Sequence, residues 1–295
     1  MKIIALLPFK NEARFLPSFV SGVRPLVDQI IAMDDNSTDS GADILRSAGA
    51  TVLDWNSERP KSGWAELGIR QRLLELGREA GGTHFVVLDA DEAFTAPFLR
   101  VGRSALSRLE PGQRLLMQWL AMWKSVDHYR DDHSVWSNNF KDFAFRDDPK
   151  NTYPEIWMHT PRTPGPFANK ETALTLQPRH GAVFHFQFSD WDHFQIKQSW
   201  LRMSELIRTP GDAAGINGKY AITKEDPSAI VVAIPEEWKT GIRFPDVSYS
   251  SHDTNWRLKQ IDEWLGSYGT SFFAALDIWH VPQIRMLAEK NRGEK

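Results

Sequence analysis

Apolar runs of strand length alternate with amphipathic segments over roughly the first hundred residues. A run that is apolar at every position is typical of a strand covered on both faces, whereas apolar residues repeated every three or four positions are typical of a helix. The alternation therefore predicts a parallel α/β sheet with helices on its faces. The predicted strands are Ile3–Leu7, Gln29–Met33, Ala50–Trp55 and His84–Leu88, and the predicted helices are Glu12–Leu26, a segment ending near Ser47, and Gly63–Glu79.

The alternation becomes less regular beyond residue 110. Asp147 to Pro166 is rich in proline and polar residues, which predicts a long functional loop. From Thr209 to Thr240 the density of Gly, Pro, Asp and Lys predicts irregular connections with at most one short strand, Ala229–Ile234. The other predicted strands are Leu115–Met122, Phe140–Phe145 and Ala182–Phe188, and the predicted helices are Phe194–Ile207, Trp256–Leu265 and Ser271–Glu289.

Composition and charge narrow the class of protein. The chain has 295 residues, of which 41% are hydrophobic and 25% charged, as in ordinary globular proteins. Its 35 basic and 38 acidic residues give a net charge of −3, which offers no electrostatic basis for binding nucleic acid or an anionic membrane. Without cysteine, it cannot form disulfides, thiolate metal sites or a cysteine nucleophile. No stretch has the length of a signal peptide or membrane span, so we expect a cytoplasmic protein.

Two acidic clusters each follow directly on a predicted parallel strand. The first covers residues 34–39 and the second covers residues 89–92. Because open α/β sheets bind their ligands at the carboxyl ends of the strands, both clusters are candidate functional sites. Asp35 could accept a hydrogen bond from a nucleobase imide. Asp89 and Asp91, which flank one alanine, can present two carboxylates to a hard divalent cation.

Each cluster also has a purely structural interpretation. Ser37 or Thr38 is expected to cap the following helix, whose dipole would favour nearby carboxylates. The second cluster could be an acidic surface turn. Against that interpretation stands the apolar run 85–88 that precedes it, because unpaired charge next to a core is costly unless a cation or ligand compensates it.

Three segments carry a family resemblance when they are taken together. They are Pro8-Phe9-Lys10-Asn11-Glu12, Ile30-Ile31-Ala32-Met33-Asp34-Asp35-Asn36-Ser37-Thr38-Asp39 and Val86-Val87-Leu88-Asp89-Ala90-Asp91-Glu92. In order and spacing they resemble the nucleotide-sugar-binding half of family 2 glycosyltransferases with the GT-A fold. The resemblance implies a mixed, Rossmann-like α/β sheet flanked by helices, with a helical C-terminal extension. The implied GT-A domain covers residues 1–210, divided into a nucleotide-sugar half (1–110) and an acceptor half (111–210), and the extension covers residues 211–295.

The resemblance also implies a donor site. Asp35 would read the nucleobase, and Arg70 matches an Arg-Asn position of the family near the base and phosphates, with Gln71 in place of the asparagine. Asp89 would face the ribose and the metal, and Asp91 would bind the Mn²⁺ or Mg²⁺ ion that bridges the diphosphate. The implied nucleotide-sugar-binding residues are Pro8, Lys10, Asn11, Glu12, Asp35, Arg70, Asp89 and Ala90, and the implied metal ligands are Asp89, Asp91 and His185.

His185 is the expected third ligand because resembling enzymes often take one from a histidine in the second half of the domain. An imidazole on an otherwise apolar strand needs a partner, and a hydrogen-bonded core histidine is the alternative interpretation. His159 competes for the same role. Together with Trp157, it equally suits binding of the acceptor.

The catalytic base is less well defined by the sequence. An inverting transfer needs a carboxylate that takes the proton of the acceptor hydroxyl. Glu155 is the first candidate and Asp142 the second, because Thr160 follows His159 where a His-Glu pair would place its acid. Either carboxylate could instead be a simple loop or strand-edge acid. The displaced acid leaves a retaining mechanism open.

Two kinds of side chain could shape the acceptor site. Indoles stack on the apolar faces of sugar rings, although most of these tryptophans are expected in the core. Basic residues would suit an anionic acceptor instead. The tryptophans are Trp119, Trp123, Trp136, Trp157 and Trp191, and the basic residues are Arg162, Lys170 and Arg179.

Together these features predict a metal-dependent glycosyltransferase that moves a sugar from a nucleoside-diphosphate sugar, UDP-linked by preference, to a hydroxyl of a glycan or small molecule, with inversion favoured. One alternative is a non-catalytic nucleotide- or carbohydrate-binding protein. Another is a sugar-phosphate nucleotidyltransferase, which would need a glycine-rich basic loop after the first strand, whereas Pro8 to Glu12 contains no glycine. A homodimer remains open, and neither a nucleic-acid partner nor an integral membrane segment is expected.

Overall fold

The computed structural model describes residues 1–56, 66–132, 134–156, 160–165, 173–224, 226–247 and 252–293. Their contacts form two compact units. The first unit contains the described residues between 1 and 189 together with residues 229–247. The second contains the described residues of 190–228 and 252–293.

The first unit contains eleven strands and five helices among its described residues. The strands are β1 (Ile3–Phe9), β2 (Gln29–Asp34), β3 (Thr51–Asp54), β4 (His84–Val86), β5 (Glu92–Phe94), β6 (Arg114–Ala121), β7 (His128–Arg130), β8 (Phe140–Arg146), β9 (Ala173–Thr175), β10 (Ala182–His185) and β11 (Val231–Ala233). The helices are α1 (Leu16–Val23), α2 (Gly41–Ser47), α3 (Glu66–Glu79), α4 (Ala96–Leu106) and α7 (Glu236–Lys239).

Nine of these strands form one mixed sheet in the order β3-β2-β1-β4-β8-β6-β10-β5, with β9 paired to β6. β1 runs parallel to β2 and β4, and β2 runs parallel to β3, as the alternating pattern predicts. β8 is antiparallel to both β4 and β6. The predicted mixed α/β sheet flanked by helices is therefore confirmed.

The core explains why β1 is apolar at every position. Successive residues of a strand point to opposite faces of the sheet. From β1, Leu7 and its alternate neighbours pack in the cluster that holds Phe19 of α1, whereas Ile4 and Leu6 pack in the cluster that holds Leu73 of α3. All seven residues of β1 are buried, since helices cover both faces of this part of the sheet.

Short elements that the sequence pattern did not indicate complete the sheet. β5 has only three residues, too few to reveal an alternation, and it pairs antiparallel with β10. The predicted strand Ala182–Phe188 ends at His185, and residues 186–188 form a 3₁₀ turn. β5 and β10 thus bring residues 92 and 185 opposite each other.

The predicted start and cap of the first two helices are corrected by the structure. α1 begins at Leu16 and not at Glu12, because the N–H groups of Phe15 and Leu16 both donate to the Glu12 carbonyl and close a tight turn ahead of the helix. α2 begins after Ser40, which makes no side-chain capping bond. The expected cap by Ser37 or Thr38 is therefore wrong.

The second unit is helical. Its helices are α5 (Trp191–Arg208), α6 (Ala213–Lys219), α8 (His252–Tyr268) and α9 (Pro282–Gly293). Trp200 of α5 packs with Ile261 of α8 and Ile284 of α9 in one apolar cluster. α5, which the sequence analysis assigned to the first domain, therefore packs within the second unit. None of the helices formed by the described residues is long and apolar enough to cross a membrane.

The predicted helix Ser271–Glu289 is wrong in its first part. α8 is followed by Gly269, whose φ of +78° leaves the helical conformation, and residues 271–281 form successive turns. α9 starts at Pro282. A proline has no N–H to donate and disfavours helical backbone in the residue before it, so the helix cannot extend in the N-terminal direction through this point.

Candidate functional site

The loops that follow β1 and β2 are joined by side-chain hydrogen bonds. The N–H of Asn11 donates to Ser37 Oγ at 2.9 Å, and the N–H of Thr38 donates to Asn11 Oδ1 at 2.6 Å. Asn11 has a φ of +51°, a left-handed conformation that asparagine tolerates better than most residues. These bonds fix the loop 8–12 against the acidic turn 34–39.

Asp35 is a fully buried carboxylate at this edge of the sheet, with 0% of its side chain exposed. Its N–H donates to the Phe9 carbonyl at 2.8 Å, which extends the pairing of β1 and β2 by one residue. Lys10 Nζ lies 3.8 Å from Asp35 Oδ2 and compensates its charge. The residue predicted to read a nucleobase thus lies at the carboxyl end of a parallel strand, next to the loop predicted to line the base pocket.

Two arginines contact the second acidic cluster. Arg162 forms a bidentate pair with Glu92, with Nη1 2.8 Å from Oε2 and Nη2 2.6 Å from Oε1. Asp89 accepts from both arginines, from Arg162 Nη2 at 2.8 Å and from Arg70 Nη2 at 3.1 Å. Such paired contacts are the geometry in which guanidinium groups bind carboxylates and phosphates alike.

Asp91, Glu92 and His185 form the inner part of the same cluster, and all three are buried. His185 Nε2 lies 3.7 Å from Asp91 Oδ2. Each of the three residues offers one potential ligand atom, and these atoms lie within 4.8 Å of one another. The arrangement brings together two of the predicted metal ligands, Asp91 and His185, and adds Glu92 to them.

Backbone pairing and ring stacking fix the position of His185. The antiparallel register of β5 and β10 sets His185 opposite Glu92, and the N–H of Phe186 donates to the Asp91 carbonyl at 2.8 Å. The imidazole stacks on the Trp119 ring, with centroids 3.9 Å apart and planes inclined by 18°. Its edge contacts Phe188 at a centroid distance of 4.9 Å. These contacts hold the ring in one orientation.

The loop that carries Arg162 is anchored on α3. One Glu66 oxygen accepts from Arg70 Nε at 3.1 Å, and the other accepts from the N–H of Thr160 at 3.2 Å. The Tyr153 hydroxyl donates to the Arg162 carbonyl at 2.9 Å. Both arginines of the cluster are therefore positioned by the same helix and loop.

The Arg162 guanidinium also lies against two aromatic rings. Its central carbon is 5.2 Å from the Trp119 ring centroid and 5.0 Å from that of Phe143. Lys141 Nζ lies 6.0 Å from the Trp119 centroid. Burial lowers the pKa of Lys141, and the positive charge of Arg162 acts in the same direction. Two cationic side chains, those of Arg162 and Lys141, thus lie near the Trp119 ring, which stacks on the His185 imidazole.

Burial and charge shift the ionisation of the acidic cluster. Burial raises the pKa of Glu92 to about 8, since the opposing effect of Arg162 is itself countered by the charges of Asp89 and Asp91. Burial acts on Asp89 as well, but Arg162 and Arg70 outweigh it and lower the pKa. Arg162 therefore pairs with both Glu92 and Asp89, and Arg70 pairs with Asp89. A further cation bound here would favour the charged form of Glu92.

A divalent cation fits the donor set of Asp91, Glu92 and His185. Carboxylate oxygens are the ligands that Mg²⁺ and Mn²⁺ prefer, and an imidazole nitrogen is a common further ligand of transition metals. Asp89, a predicted ligand, instead directs one oxygen to each arginine. The protein thus has a group of side chains that could hold the predicted metal.

The two candidate bases have different surroundings. Asp142 on β8 is engaged, because its Oδ2 accepts from Arg114 Nη1 at 2.7 Å and from the Thr163 hydroxyl at 3.1 Å. Glu155 is exposed in the loop that follows Tyr153. The carboxylate of Asp142 is thus occupied by two hydrogen-bond donors, whereas Glu155 is accessible from solvent, and this difference favours Glu155 over Asp142.

Several other predicted residues have roles that the sequence did not indicate. Gln71 Oε1 accepts from the N–H of Tyr153 at 3.3 Å, so this residue holds the Arg162 loop. Trp123 and Trp136 pack against each other and against Phe188. The predicted acceptor residues Trp157 and His159, and also Lys170, lie outside the described residues.

Sequence reasoning missed the contribution of Glu92 and the pairing of Arg162 with the acidic cluster. Glu92 follows the Asp89-Ala90-Asp91 segment directly, so a buried strand starting at that residue would have been the signal. The sequence indicates Arg162 only as a residue that would suit an anionic acceptor. No local signal connects it to residues 89–92, because the contact depends on the anchoring of its loop to α3.

No protein-family model and no curated protein matches the chain. Solved structures that match in part include a mannosyl-3-phosphoglycerate synthase from Rubrobacter xylanophilus, with 24% identity over 42% of this chain and 41% of that chain and a TM-score of 0.31. A glucosyl-3-phosphoglycerate synthase from Mycobacterium tuberculosis in complex with Mg²⁺ and uridine diphosphate matches with 22% identity over 40% and 43%, at a TM-score of 0.30. A mycobacterial protein matches with 25% identity over 40% of each chain, at a TM-score of 0.29.

The match thus spans less than half the length of each of these structures. TM-scores this low carry no functional weight. Any assignment of function has to be supported by the geometry of the site itself.

Proposed function

We propose that this protein is a metal-dependent glycosyltransferase of the GT-A type, which transfers a sugar from a nucleoside-diphosphate sugar to an acceptor hydroxyl. The observation that carries the proposal is the convergence of Asp91, Glu92 and His185 with two arginines at the carboxyl ends of parallel strands. Open α/β sheets bind their ligands at this edge. A site that combines potential metal ligands with two guanidinium groups suits a diphosphate, because both a bound cation and an arginine can compensate its negative charge.

The donor would be bound in two parts. Asp35 would accept a hydrogen bond from the nucleobase, with the loop 8–12 lining the pocket, and we favour uridine as the base. Arg70 and Arg162 would bind the diphosphate, because a guanidinium that pairs with a carboxylate can pair equally with a phosphate. Asp89, which both arginines contact, would then be released to face the ribose.

Asp91, Glu92 and His185 would hold Mn²⁺ or Mg²⁺. When bound, the metal neutralises the negative charge that develops on the leaving nucleoside diphosphate. Trp119 supports this arrangement by fixing the imidazole from one face. Once they have exchanged Asp89 for the diphosphate, the two arginines bring further positive charge to the place where negative charge develops, which is the usual basis of electrostatic catalysis.

We assign the catalytic base to Glu155 and favour an inverting reaction. The base takes the proton from the acceptor hydroxyl as that oxygen attacks the anomeric carbon. The ion pair of Asp142 with Arg114 supports this order of preference. The acceptor would be a glycan or a small hydroxylated molecule.

A donor hydrolysis screen tests the proposal without knowledge of the acceptor. The full chain is incubated with a panel of nucleotide sugars and either Mn²⁺, Mg²⁺ or EDTA, and released nucleoside diphosphate is measured. We expect metal-dependent release from a UDP-sugar. Thermal melting with the same compounds reports binding in parallel.

Each other outcome of the screen identifies an alternative. Metal-dependent binding without release from any donor, even with a panel of acceptors, would indicate a non-catalytic binding protein. In a parallel incubation with a nucleoside triphosphate and a sugar phosphate, formation of pyrophosphate would indicate a nucleotidyltransferase. Neither binding nor release with any nucleotide would overturn the donor site.

A further inference from the structure

A cavity of about 440 Å³ lies within the second unit. It is lined by the first turn of α5, by Lys224 and by residues 277–283, which lead into α9. Pockets that bind small molecules commonly enclose about 300–1,000 Å³, so this cavity has the size of a ligand site. The proposed glycosyltransfer uses none of the residues that line it.

The polar groups of the cavity have defined hydrogen-bonding roles. Gln195 Nε2 donates to the Thr223 carbonyl at 3.4 Å, so the amide oxygen Oε1 faces His280 Nε2 at 2.8 Å. An amide oxygen only accepts, so His280 donates from Nε2. Burial lowers the pKa of His280 against the opposing charge of Asp277, whose Oδ1 lies 3.8 Å from Nδ1, and so favours the neutral imidazole.

The charged side chains of the lining largely compensate one another. Lys224 Nζ lies 2.6 Å from Asp277 Oδ2, and these two charges compensate each other. Asp192 adds a second carboxylate, while His280 is neutral. The lining therefore carries an excess of one negative charge. The side chains of the lining therefore supply no excess positive charge that would select a phosphate, sulfate or carboxylate ligand.

The indole of Trp191 forms part of the cavity wall. Trp191, at the first position of α5, lines it and contacts Phe194 at a centroid distance of 5.1 Å. A sugar ring presents an apolar C–H face, and its hydroxyls each donate and accept hydrogen bonds. An aromatic ring together with hydrogen-bond donors and acceptors in one cavity suits such a molecule.

We propose that this cavity binds a neutral sugar, with Trp191 against the ring and with Lys224, Asp277, His280 and Gln283 hydrogen-bonded to its hydroxyls. The site is independent of the donor site proposed for the first unit. It needs neither a nucleotide nor a metal.

Binding of neutral mono- and disaccharides to the full chain tests this inference. Isothermal titration calorimetry is carried out with EDTA present and nucleotide absent, so that the donor site does not contribute. We expect Trp191→Ala to weaken binding at least about tenfold and Gln283→Ala to weaken it about threefold. Met286→Ala is the matched control, since Met286 lies on the same helix as Gln283, is 68% exposed and does not line the cavity.

Gln283→Ala keeps the test valid if Trp191→Ala disturbs α5. Loss of affinity in the cavity variants but not in the control supports the site. Two results would overturn it: no measurable binding of any sugar in the panel, or equal affinity in all variants. Tighter binding of inorganic phosphate than of sugars, reduced by the same substitutions, would overturn the ligand class.

Discussion

His185 Nε2 lies 3.7 Å from Asp91 Oδ2, although the two residues belong to distant parts of the chain. Their proximity is built from backbone hydrogen bonds. β10 pairs with β5 so that His185 is opposite Glu92, and the next residue, Phe186, donates its N–H to the Asp91 carbonyl. Strand pairing positions side chains more accurately than a loop would, which suits a group that has to hold a metal ion.

Replacing Asp91 with asparagine removes one carboxylate from the proposed metal group while keeping its volume. We expect the fold to persist and the Mn²⁺-dependent rise in melting temperature with a nucleoside diphosphate to disappear. A ligand at 100 times its dissociation constant stabilises a protein by about 2.7 kcal/mol, so differential scanning fluorimetry can measure the loss.

Asp43→Asn is the control for this substitution. Its side chain is 83% exposed on α2, and its pair with Arg46 is a surface contact. This variant should keep the full metal response. An unchanged response in Asp91→Asn as well would remove Asp91 from the ligand group.

Arg162→Ala should destabilise the protein in the absence of metal. Glu92 is fully buried and pairs with Arg162 in a bidentate contact. Removing Arg162 leaves the buried Glu92 without its two guanidinium donors and leaves the charge of Asp89 with Arg70 as its arginine partner. Removing one partner of a buried ion pair typically costs about 3–5 kcal/mol. Urea denaturation measures the loss, and Mn²⁺ should restore part of it because the cation replaces the missing positive charge.

Arg72→Ala provides the comparison for Arg162→Ala. Arg72 contacts Glu75 and Glu79, but all three side chains are largely exposed. Surface ion pairs contribute about 0–1 kcal/mol, and Mn²⁺ should not change the stability of this variant. Equal losses in the two variants would contradict the buried role of Arg162.

The parallel half of the fold could be predicted because its signals are local. β1 is apolar at every position, and β2 is apolar from Ile30 to Met33, since helices cover both faces, and that pattern is visible in the sequence itself. The turns at 271–281 could not be distinguished from a helix in the same way. Phe273 and Leu276 are buried there at a helical spacing, although the backbone is not helical.

The candidate site was only partly predictable for a related reason. Asp35 and Asp91 belong to acidic clusters that follow predicted strands, so the sequence indicates that they lie at the carboxyl edge of the sheet. The neighbours of Glu92 depend on the register of β5 with β10, and those of Arg162 depend on a loop anchored by Glu66. Such long-range contacts leave no periodicity or local motif in the sequence.

Glu155→Gln should lower sugar transfer while leaving donor binding unchanged. A general base typically contributes about 10²–10⁴-fold to the rate, and a glutamine cannot take the proton. Transfer to a panel of hydroxyl acceptors is measured together with the donor-induced shift in melting temperature. Asp142→Asn should instead reduce stability, because Asp142 holds Arg114 and Thr163. If a stably folded Asp142→Asn variant lost transfer while Glu155→Gln stayed active, Asp142 and not Glu155 would be the catalytic base.

Gly22→Ala should connect the packing of α1 with metal binding. A Cβ at Gly22 would lie 2.5 Å from the Cβ of Ala93 and 2.8 Å from its Cα, so β5 would have to move. Ala93 is the neighbour of Glu92 on that strand. Alanine usually stabilises a helix by about 0.5–1 kcal/mol relative to glycine, but overpacking of this kind costs about 1–3 kcal/mol. We expect lower stability in urea and weaker Mn²⁺ binding by calorimetry.

Gly218→Ala is the control that separates the effect of the contact between α1 and β5 from the effect of alanine on helix propensity. Gly218 lies in α6, and nothing lies within 4 Å of the position that its Cβ would occupy. Here alanine should raise stability by up to about 1 kcal/mol and leave Mn²⁺ affinity unchanged. If Gly22→Ala were stabilising to the same extent, α1 and β5 would not be in close contact. If it were destabilising without any change in Mn²⁺ affinity, β5 would not be the element that positions the metal group.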